Sequence, residues 1–378
     1  MDKELILKAR ALYKALHEPF VGREEEALVI TLALITGEHA VLIGEPGTAK
    51  SALARRAANL IQARFFKYLL TRFTEPSELF GPLDIAALRR GEYRRVTKGK
   101  LPEAEIAFLD EIFNANSAVL NSLLSILQER VLYDGYTEIR VPLWTLISAS
   151  NRVPEDPELD ALYDRLLFRH YVKPVREDHW DRLLDASWKL EMGVYAKTEP
   201  VMTMEDLKAL NKMIFSVDLS PIRSQLLRLF MVLEEKGLHL TDRRKGKALK
   251  AIAAHAIING RVKATEDDLV VVKYIAPRDL EDFEKINVVL MEEIRTKERI
   301  LRELREIEAN IRNFARLVES AREFDARLIE YHKGLRRARS RIESLTRNID
   351  DEEIRALTEE LLEEIDRISD IINYKLNL

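Results

Sequence analysis

Short apolar segments alternate with amphipathic stretches over the first 174 residues of the chain. Five of these segments have the length and the apolar content of buried strands: HAVLIG (39–44), FFKYLLT (65–71), EIAFLDE (105–111), LWTLISASN (143–151) and FRHYVKP (168–174). Strands that alternate with helices predict a parallel sheet with helices on both of its faces. We therefore expect an α/β core over residues 1–175, built on a five-stranded parallel sheet.

The remainder of the chain has helical patterns and no convincing strand. We expect an all-α region over residues 176–280 and a coiled-coil-like helical domain over 281–378. In the second region apolar residues recur at heptad-like steps: Ile307, Ile311, Phe314, Val318, Ala321, Leu328, Tyr331, Leu335, Ala338, Ile342, Leu345, Ile349, Ile354, Leu357, Leu361, Ile365, Ile368 and Ile372. The sequence Asn348-Ile349-Asp350-Asp351 predicts a turn, and therefore a helical hairpin.

Charges on the two sides of that turn differ in sign, since Lys and Arg precede it and Asp and Glu follow it. An antiparallel hairpin would bring Arg341 near Glu359 and Arg337 near Glu363. We interpret the basic cluster as the complement of the acidic helix, and a nucleic-acid patch is the alternative.

Composition narrows the class of protein. The 378 residues include 60 Lys and Arg against 64 Asp and Glu, a net charge of −4, which gives no general case for nucleic-acid binding. There are no cysteines, so disulfides and thiolate metal sites are excluded. No apolar run approaches the ~20 residues that span a bilayer, and the amphipathic N-terminus does not resemble a secretory signal. We expect a cytoplasmic protein.

The segment GEPGTAKS (44–51) predicts a phosphate-binding loop, because it follows an apolar strand and opens a helix. Its backbone N–H groups would face the phosphates, Lys50 the β and γ phosphates, and Ser51 a magnesium ion. The nucleotide-binding residues are Gly44, Glu45, Pro46, Gly47, Thr48, Ala49, Lys50 and Ser51. Ala49 stands where the pattern has a second glycine, and we expect its methyl group to be tolerated at the start of a helix.

A second motif, IAFLDEI (106–112), ends an apolar strand in two carboxylates. Asp110 would complete the magnesium shell with Ser51, and Glu111 would polarise the attacking water. Asn151, at the end of the TLISAS strand, would orient that water or sense the γ-phosphate. Together these residues predict hydrolysis of ATP with Mg²⁺.

These motifs give the chain a resemblance to AAA+ ATPases of the MoxR family, close to the RavA (regulatory ATPase variant) branch. The motifs are FVGREEE, GEPGTAKS, TRFTEPSELFGPL, GKLPEAEIAFLDEI, ASNRVPE, ALYDRLLFRH and LTDRRKGKAL, spread over roughly residues 10–290. The resemblance implies that residues 176–280 form a helical lid, and that Val21 and Gly22 lie beside the adenine. It also implies that Arg165 is an arginine finger acting on the neighbouring subunit and that Arg243 is the sensor 2 arginine, with Arg169 and Arg244 as less certain neighbours.

The resemblance further implies a homo-hexameric ring that remodels or matures protein clients together with a von Willebrand factor A domain partner. Two segments, 87–97 and 131–142, are expected to be the hairpin inserts of this clade, the second with a turn at Asp134-Gly135. Two alternatives stay open. A nucleic-acid remodelling ATPase would use the basic residues around the first hairpin (Arg89, Arg90, Arg94, Arg95, Lys98), and a nucleotide-gated scaffold would act through the C-terminal helices.

Overall fold

The computed structural model describes residues 2–134, 137–195, 198–294, 297–321, 325–346 and 351–376. The strands are β1 Ala40–Ile43, β2 Phe65–Leu69, β3 Ile106–Asp110, β4 Val131–Asp134, β5 Thr137–Arg140, β6 Thr145–Ser150 and β7 Phe168–Tyr171. The helices are α1 Lys3–His17, α2 Glu24–Thr36, α3 Lys50–Ile61, α4 Pro76–Phe80, α5 Ile85–Leu88, α6 Ser117–Glu129, α7 Asp160–Arg165, α8 Trp180–Glu191, α9 Met204–Met213, α10 Arg223–Glu235, α11 Asp242–Ile258, α12 Leu280–Glu293, α13 Lys297–Ser320, α14 Arg327–Thr346 and α15 Glu352–Leu376.

The five predicted strands form one parallel sheet in the order β2-β3-β6-β1-β7. This confirms the predicted α/β core. The three central strands β3, β6 and β1 are buried almost throughout, as expected for a sheet covered on both faces. Because all five strands run in the same direction, their carboxyl ends and the loops that follow lie at one edge of the sheet, where ligands bind in such folds.

The described chain divides into two compact units, residues 1–293 and 294–378. In the first unit, the residues after the sheet form helices α8 to α11 and a 3-10 segment, Glu266–Tyr274, as the predicted all-α lid requires. Helix α12, which we expected in the C-terminal domain from residue 281, belongs to this first unit. It packs against α10 and the 3-10 segment through Phe283, Ile286 and Val289. The expected boundary between core and lid at residue 175 stays a prediction.

The two expected hairpins differ in outcome. Strands β4 and β5 pair antiparallel within 131–142, as predicted, although the turn at Asp134-Gly135 lies partly outside the described residues. The segment 87–97 is not a hairpin of two β arms. Residues 82–84 instead pair with 94–96 through hydrogen bonds and a single bridge, and the short helix α5 lies between them. The helix-favouring run Ile85–Leu88, capped by Asp84, explains the difference.

The second unit is a bundle in which α13, α14 and α15 all pack against one another. Most of the heptad-like stripe lies in its core, with residues such as Leu335, Ile342 and Ile365 at most 2% exposed. The predicted turn at Asn348-Ile349-Asp350-Asp351 lies outside the described residues except for Asp351.

One of the two contacts predicted for this bundle is wrong. Arg341 pairs with Glu303 on α13 at 2.8 Å and not with Glu359, whereas the proximity of Arg337 to Glu363 stays a prediction. The link between α14 and α15 is instead an ion pair of Arg339 with Asp366.

Candidate functional site

The loop between β1 and α3, residues 44–49, has the backbone of a phosphate-binding turn. The backbone N–H of Gly44 donates to Ser150 O at 2.9 Å, which fixes the start of the loop at the end of β6. A Cβ atom at Gly44 would lie 2.4 Å from Val172 O, so only glycine fits there. Gly47 has a φ of 80°, and Glu45, Pro46 and Gly47 are exposed at the tip of the loop. The loop therefore presents its backbone outward.

Ala49 is held in the left-handed region, with a φ of 64°. We expected its methyl group to be mild at the start of a helix, but this conformation costs a residue with a Cβ roughly 1–2 kcal/mol. Backbone strain of this kind occurs most often at functional sites. The glycine of the usual pattern is therefore replaced without a change of backbone conformation, at a cost in stability.

Lys50 lies folded into the loop. Its Nζ donates to Gly44 O at 2.8 Å, to Glu45 O at 2.7 Å and to Thr48 Oγ1 at 3.2 Å. Burial lowers the pKa of Lys50, and the nearby carboxylates of Asp110 and Glu111 act in the opposite direction. The ammonium group thus lies inside the loop and within electrostatic reach of the two carboxylates predicted for the same site.

Asp110 ends β3, and Glu111 follows with a φ of 52°, a second left-handed residue that has a side chain. The backbone N–H of Glu111 donates to Asp110 Oδ1 at 3.1 Å. The left-handed turn at Glu111 changes the direction of the backbone directly after Asp110. The carboxylate of Asp110 is therefore available to a metal ion, while Glu111 lines the cavity beyond the strand. Both side chains are half-buried.

Glu111 and Asn151 line the same cavity, of about 880 Å³, at the carboxyl edge of the sheet. Its walls come from the segments that follow β2, β3 and β6, and two cationic side chains, Arg72 and Arg152, also line it. The end of β6 is ordered by Ser150, whose Oγ donates to Arg152 O at 2.8 Å. Asn151 and Glu111 therefore line one cavity, and their roles in hydrolysis stay predictions.

Sequence reasoning missed one residue, Lys67 on β2. Its Nζ donates a short hydrogen bond to Oγ of Ser51, the hydroxyl predicted to bind magnesium. The only signal in the sequence was a lysine within an otherwise apolar strand, FFKYLLT.

Arg165 and Arg243 form a separate cationic cluster. Burial lowers the pKa of Arg165, and the charge of Arg243 lowers it further. Arg165 lies at the end of α7, where it donates to Ala161 O at 2.7 Å and to the side chain of Gln128. Arg243, 42% exposed, lies 3.3 Å from Asp164 Oδ2. Neither arginine lines the cavity that contains Glu111 and Asn151.

The two arginines named as less certain neighbours, Arg169 and Arg244, are buried instead. Arg169 donates to Pro277 O and Tyr163 O, both at 2.8 Å, and its guanidinium lies 3.6 Å from the centre of the Tyr163 ring. Arg244 makes five hydrogen bonds to four backbone carbonyls. Both guanidinium groups are buried and bonded to backbone carbonyls, although Nε of Arg169 has no hydrogen-bond partner among the described residues. They hold the fold together, and we assign neither to nucleotide chemistry.

The segment expected beside the adenine, Val21 and Gly22, packs against the chain that follows β7. A Cβ at Gly22 would lie 3.7 Å from the Val175 side chain. The next residue, Arg23, is buried and donates to Lys173 O at 2.8 Å and to Glu26 Oε1 at 3.1 Å. Its charge also acts on Lys50, so this segment lies near the loop.

The donor set fits a nucleotide with magnesium. Helix α3 begins without an acidic residue in its first turn, and among the described side chains none caps it. Its first N–H groups are therefore free to bind an anion. The Ser51 hydroxyl and the Asp110 carboxylate are the oxygen ligands that Mg²⁺ prefers.

Comparison with known proteins agrees with this geometry. Residues 7–212 match the family described as the MoxR domain in the MoxR-vWA-beta-propeller ternary systems, and residues 219–290 match an AAA lid domain. The chain belongs to the MoxR family of AAA+ ATPases. It is 42% identical to the uncharacterized protein MJ0812 of Methanocaldococcus jannaschii over 275 residues, which cover 72% of each chain.

More distant MoxR relatives include Chaperone MoxR1 of Mycobacterium tuberculosis, 26% identical over 42% of this chain and 43% of that protein. Among solved structures, a candidate ATPase from Cytophaga hutchinsonii matches with a TM-score of 0.63 at 18% identity. That match covers 76% of this chain and 96% of the other, and it supports the fold. Among the described helices, none is both long and apolar enough to cross a membrane.

Proposed function

We propose that this MoxR protein is a ring-forming ATPase that couples ATP hydrolysis to the remodelling or maturation of protein clients. The observation that carries the proposal is the separation of the site into two clusters. Asp110 ends β3 and Lys50 begins α3 after β1, both at the carboxyl edge of the sheet, whereas Arg165 ends α7 and Arg243 lies in the first turn of α11. Neither arginine lines the cavity that Glu111 lines. Such a division suits a site completed by two subunits.

In this proposal each residue has one role. The backbone of the 44–51 loop and the ammonium group of Lys50 bind the phosphates of ATP, and Ser51 and Asp110 hold the magnesium ion. When bound, magnesium would neutralise charge that develops on the phosphates. Glu111 orients and polarises the attacking water, and Asn151, which lines the same cavity, helps to position it.

Arg165 of the adjacent subunit supplies positive charge to the transferred phosphoryl group, as arginine fingers do. Because Arg243 lies beside Arg165, both would reach the same neighbouring nucleotide. The pair would therefore couple hydrolysis in one subunit to the position of α7 and α11 in the next. We propose a homo-hexamer on this basis, as the MoxR resemblance implies.

The proposed partner is a protein with a von Willebrand factor A domain, which the family match to MoxR-vWA-beta-propeller systems supports. Action on protein clients is supported by the similarity to a MoxR1 chaperone. Membership of the RavA branch and a cytoplasmic location stay part of the proposal.

A mixing experiment tests the shared site. Arg165→Ala and Glu111→Gln should each be inactive alone, the first because its neighbour lacks a finger and the second because water is not activated. Glu111→Gln should still bind ATP, whereas Lys50→Ala should not. Mixed rings of the first two variants contain interfaces with Lys50 and Glu111 on one side and Arg165 on the other, and these should hydrolyse ATP.

The control is a mixture of Arg165→Ala with a Glu111→Gln/Arg165→Ala double variant, which cannot form an intact interface. Recovery of phosphate release in the first mixture only supports the proposal. Full activity of the dilute wild-type monomer, or equal activity of the two mixtures, would refute it.

Arg94 and Arg95, two of the five basic residues on which the nucleic-acid alternative depends, are paired within the protein. Arg94 pairs with Asp84 at 2.7 Å, and Arg95 pairs with the buried Asp134 at 2.8 Å. These charges are engaged within the protein. The scaffold alternative is tested by deleting residues 294–378, the second compact unit: client remodelling that survives this deletion excludes it.

A further inference from the structure

Lys67 places a positive charge on the hydroxyl expected to bind magnesium. It lies on β2 in register with Phe108 of β3, two residues before Asp110. Its Nζ donates to Ser51 Oγ and lies 5.8 Å from the centre of the Phe108 ring, within the range of a cation–π contact. The lysine is exposed, so its ammonium group approaches the site from the solvent side of the edge strand.

A magnesium ion and this ammonium group would compete for the Ser51 hydroxyl. Mg²⁺ binds an oxygen ligand at about 2.0–2.1 Å and demands near-octahedral geometry. A hydrogen-bonded ammonium nitrogen lies about 2.7–3.2 Å from its acceptor. Both bound to one hydroxyl would leave the two cations at most about 5 Å apart, where like charges repel strongly in a partly desolvated site.

We propose that Lys67 is a positioning residue that competes with magnesium for Ser51 and so sets the metal requirement of nucleotide binding. This inference rests on the proposed function, because it takes Ser51 as the ligand of nucleotide-bound magnesium. When Mg²⁺ binds Ser51, Lys67 releases the hydroxyl. Without the metal, its ammonium group offsets part of the phosphate charge and retains some affinity for the nucleotide.

If Lys67 competes with magnesium for Ser51, removing the charge of Lys67 should strengthen magnesium binding. Lys67→Met keeps an unbranched apolar side chain of similar length but removes the ammonium group. We expect the Mg²⁺ concentration that half-saturates metal-dependent ATP binding to fall about tenfold. Binding of ATP in EDTA should weaken by a similar factor. Lys67→Arg, which keeps the charge, should stay within about twofold of the wild type in both measurements.

The experiment is an equilibrium titration of a fluorescent ATP analogue on the full chain, first in EDTA and then at increasing buffered Mg²⁺. Titration with Mn²⁺, followed by electron paramagnetic resonance, gives the metal affinity directly. Lys67→Gln provides a second neutral variant, and circular dichroism verifies that each variant is folded. Lys208→Met is the matched control, because Lys208 is an exposed lysine on α9.

The outcomes separate this inference from the proposed function. Tighter magnesium binding in the two neutral variants, with Lys208→Met unchanged, supports competition. Unchanged or weaker magnesium binding in both neutral variants overturns it, since a lysine that merely orients Ser51 would aid the metal. Failure of the wild type to bind ATP at any Mg²⁺ concentration would refute the proposed function itself, and the inference with it.

Discussion

Arg243 and Arg244, two adjacent arginines of the LTDRR motif, test how we assign site residues. The environment of Arg244 indicates a structural role, whereas Arg243 is proposed to act in ATP hydrolysis. Arg244 is 3% exposed, and its guanidinium spans four carbonyls: Ile275 O at 2.5 and 2.7 Å, Leu167 O at 2.6 Å, Asp164 O at 3.2 Å and Leu166 O at 3.3 Å. Its neighbour Arg243 is 42% exposed and has one contact, with Asp164. The perturbation is methionine at each position in turn.

The loss of stability expected for Arg244→Met follows from the backbone carbonyls that this substitution leaves without a hydrogen-bond donor. At about 1 kcal/mol for each buried acceptor, the low end of the range for an unsatisfied group, four carbonyls amount to about 4 kcal/mol. Burial strongly disfavours the charged form and holds the pKa of Arg244 well below its usual value, so removal of the charge recovers part of this loss. We expect a net destabilisation of about 3 kcal/mol for Arg244→Met, within the range for disrupting a buried charged group.

The assay is thermal and urea unfolding of both variants beside the wild type. About 3 kcal/mol corresponds to a fall in Tm on the order of 10 °C for a unit of this size. Arg243→Met should change stability by less than about 0.5 kcal/mol, as exposed sites do, yet it should lose ATP hydrolysis. Equal stability of the two variants, or a stable Arg244→Met protein with normal hydrolysis, would refute the assignment.

Three further changes test other parts of the structure. Ala49→Gly should raise the free energy of unfolding by up to about 1 kcal/mol, because it removes left-handed strain; a lower denaturation midpoint would contradict this. Gly334→Ala should destabilise the C-terminal bundle by about 1 kcal/mol in urea unfolding, because the new Cβ would lie 2.7 Å from the Phe314 ring, and Phe314→Leu in the same chain should reverse the effect. Burial acts to raise the pKa of Asp268, but contacts with His255 and Arg261 outweigh it and hold the pKa below its usual value. The ionised carboxylate therefore stabilises the fold above about pH 4 and ceases to do so as the pH falls further, so Asp268→Asn should flatten the acid limb of the stability curve.

The parallel core was predictable because its strands carry their own signal. Each is a short, largely apolar run, and two of them lead into polar groups of the predicted site: β3 ends at Asp110, and Asn151 follows β6. A strand buried on both faces is a continuous apolar run, which is easier to recognise in a sequence than a strand of alternating apolar and polar residues. Since carboxyl ends of parallel strands share one edge, the sequence also predicted that Glu111 and Asn151 would meet.

Other features depend on geometry that a pattern of residues does not contain. The partner of Arg341 is Glu303 and not Glu359, because charge patterns along a helix leave open which of two neighbouring helices faces a given side chain. The left-handed backbone of Ala49 could not be predicted from the alanine itself, which favours other conformations. Lys67 contacts Ser51 because α3 packs over β3, the strand that pairs with β2.

The buried polar groups around α7 indicate how a change in the lid region would reach Arg165. Tyr163 donates its hydroxyl to Arg278 O at 2.5 Å, Arg169 donates to Pro277 O, and Arg244 donates to Ile275 O. Segment 275–278 is therefore fastened to α7 by three buried side chains, and it leads directly into α12. Because buried hydrogen bonds are costly to break one at a time, segment 275–278 and α7 should move as one body. A displacement of that segment would then carry Arg165 with it, which gives the proposed finger a mechanical link to the lid of its own subunit while it serves the nucleotide of the next.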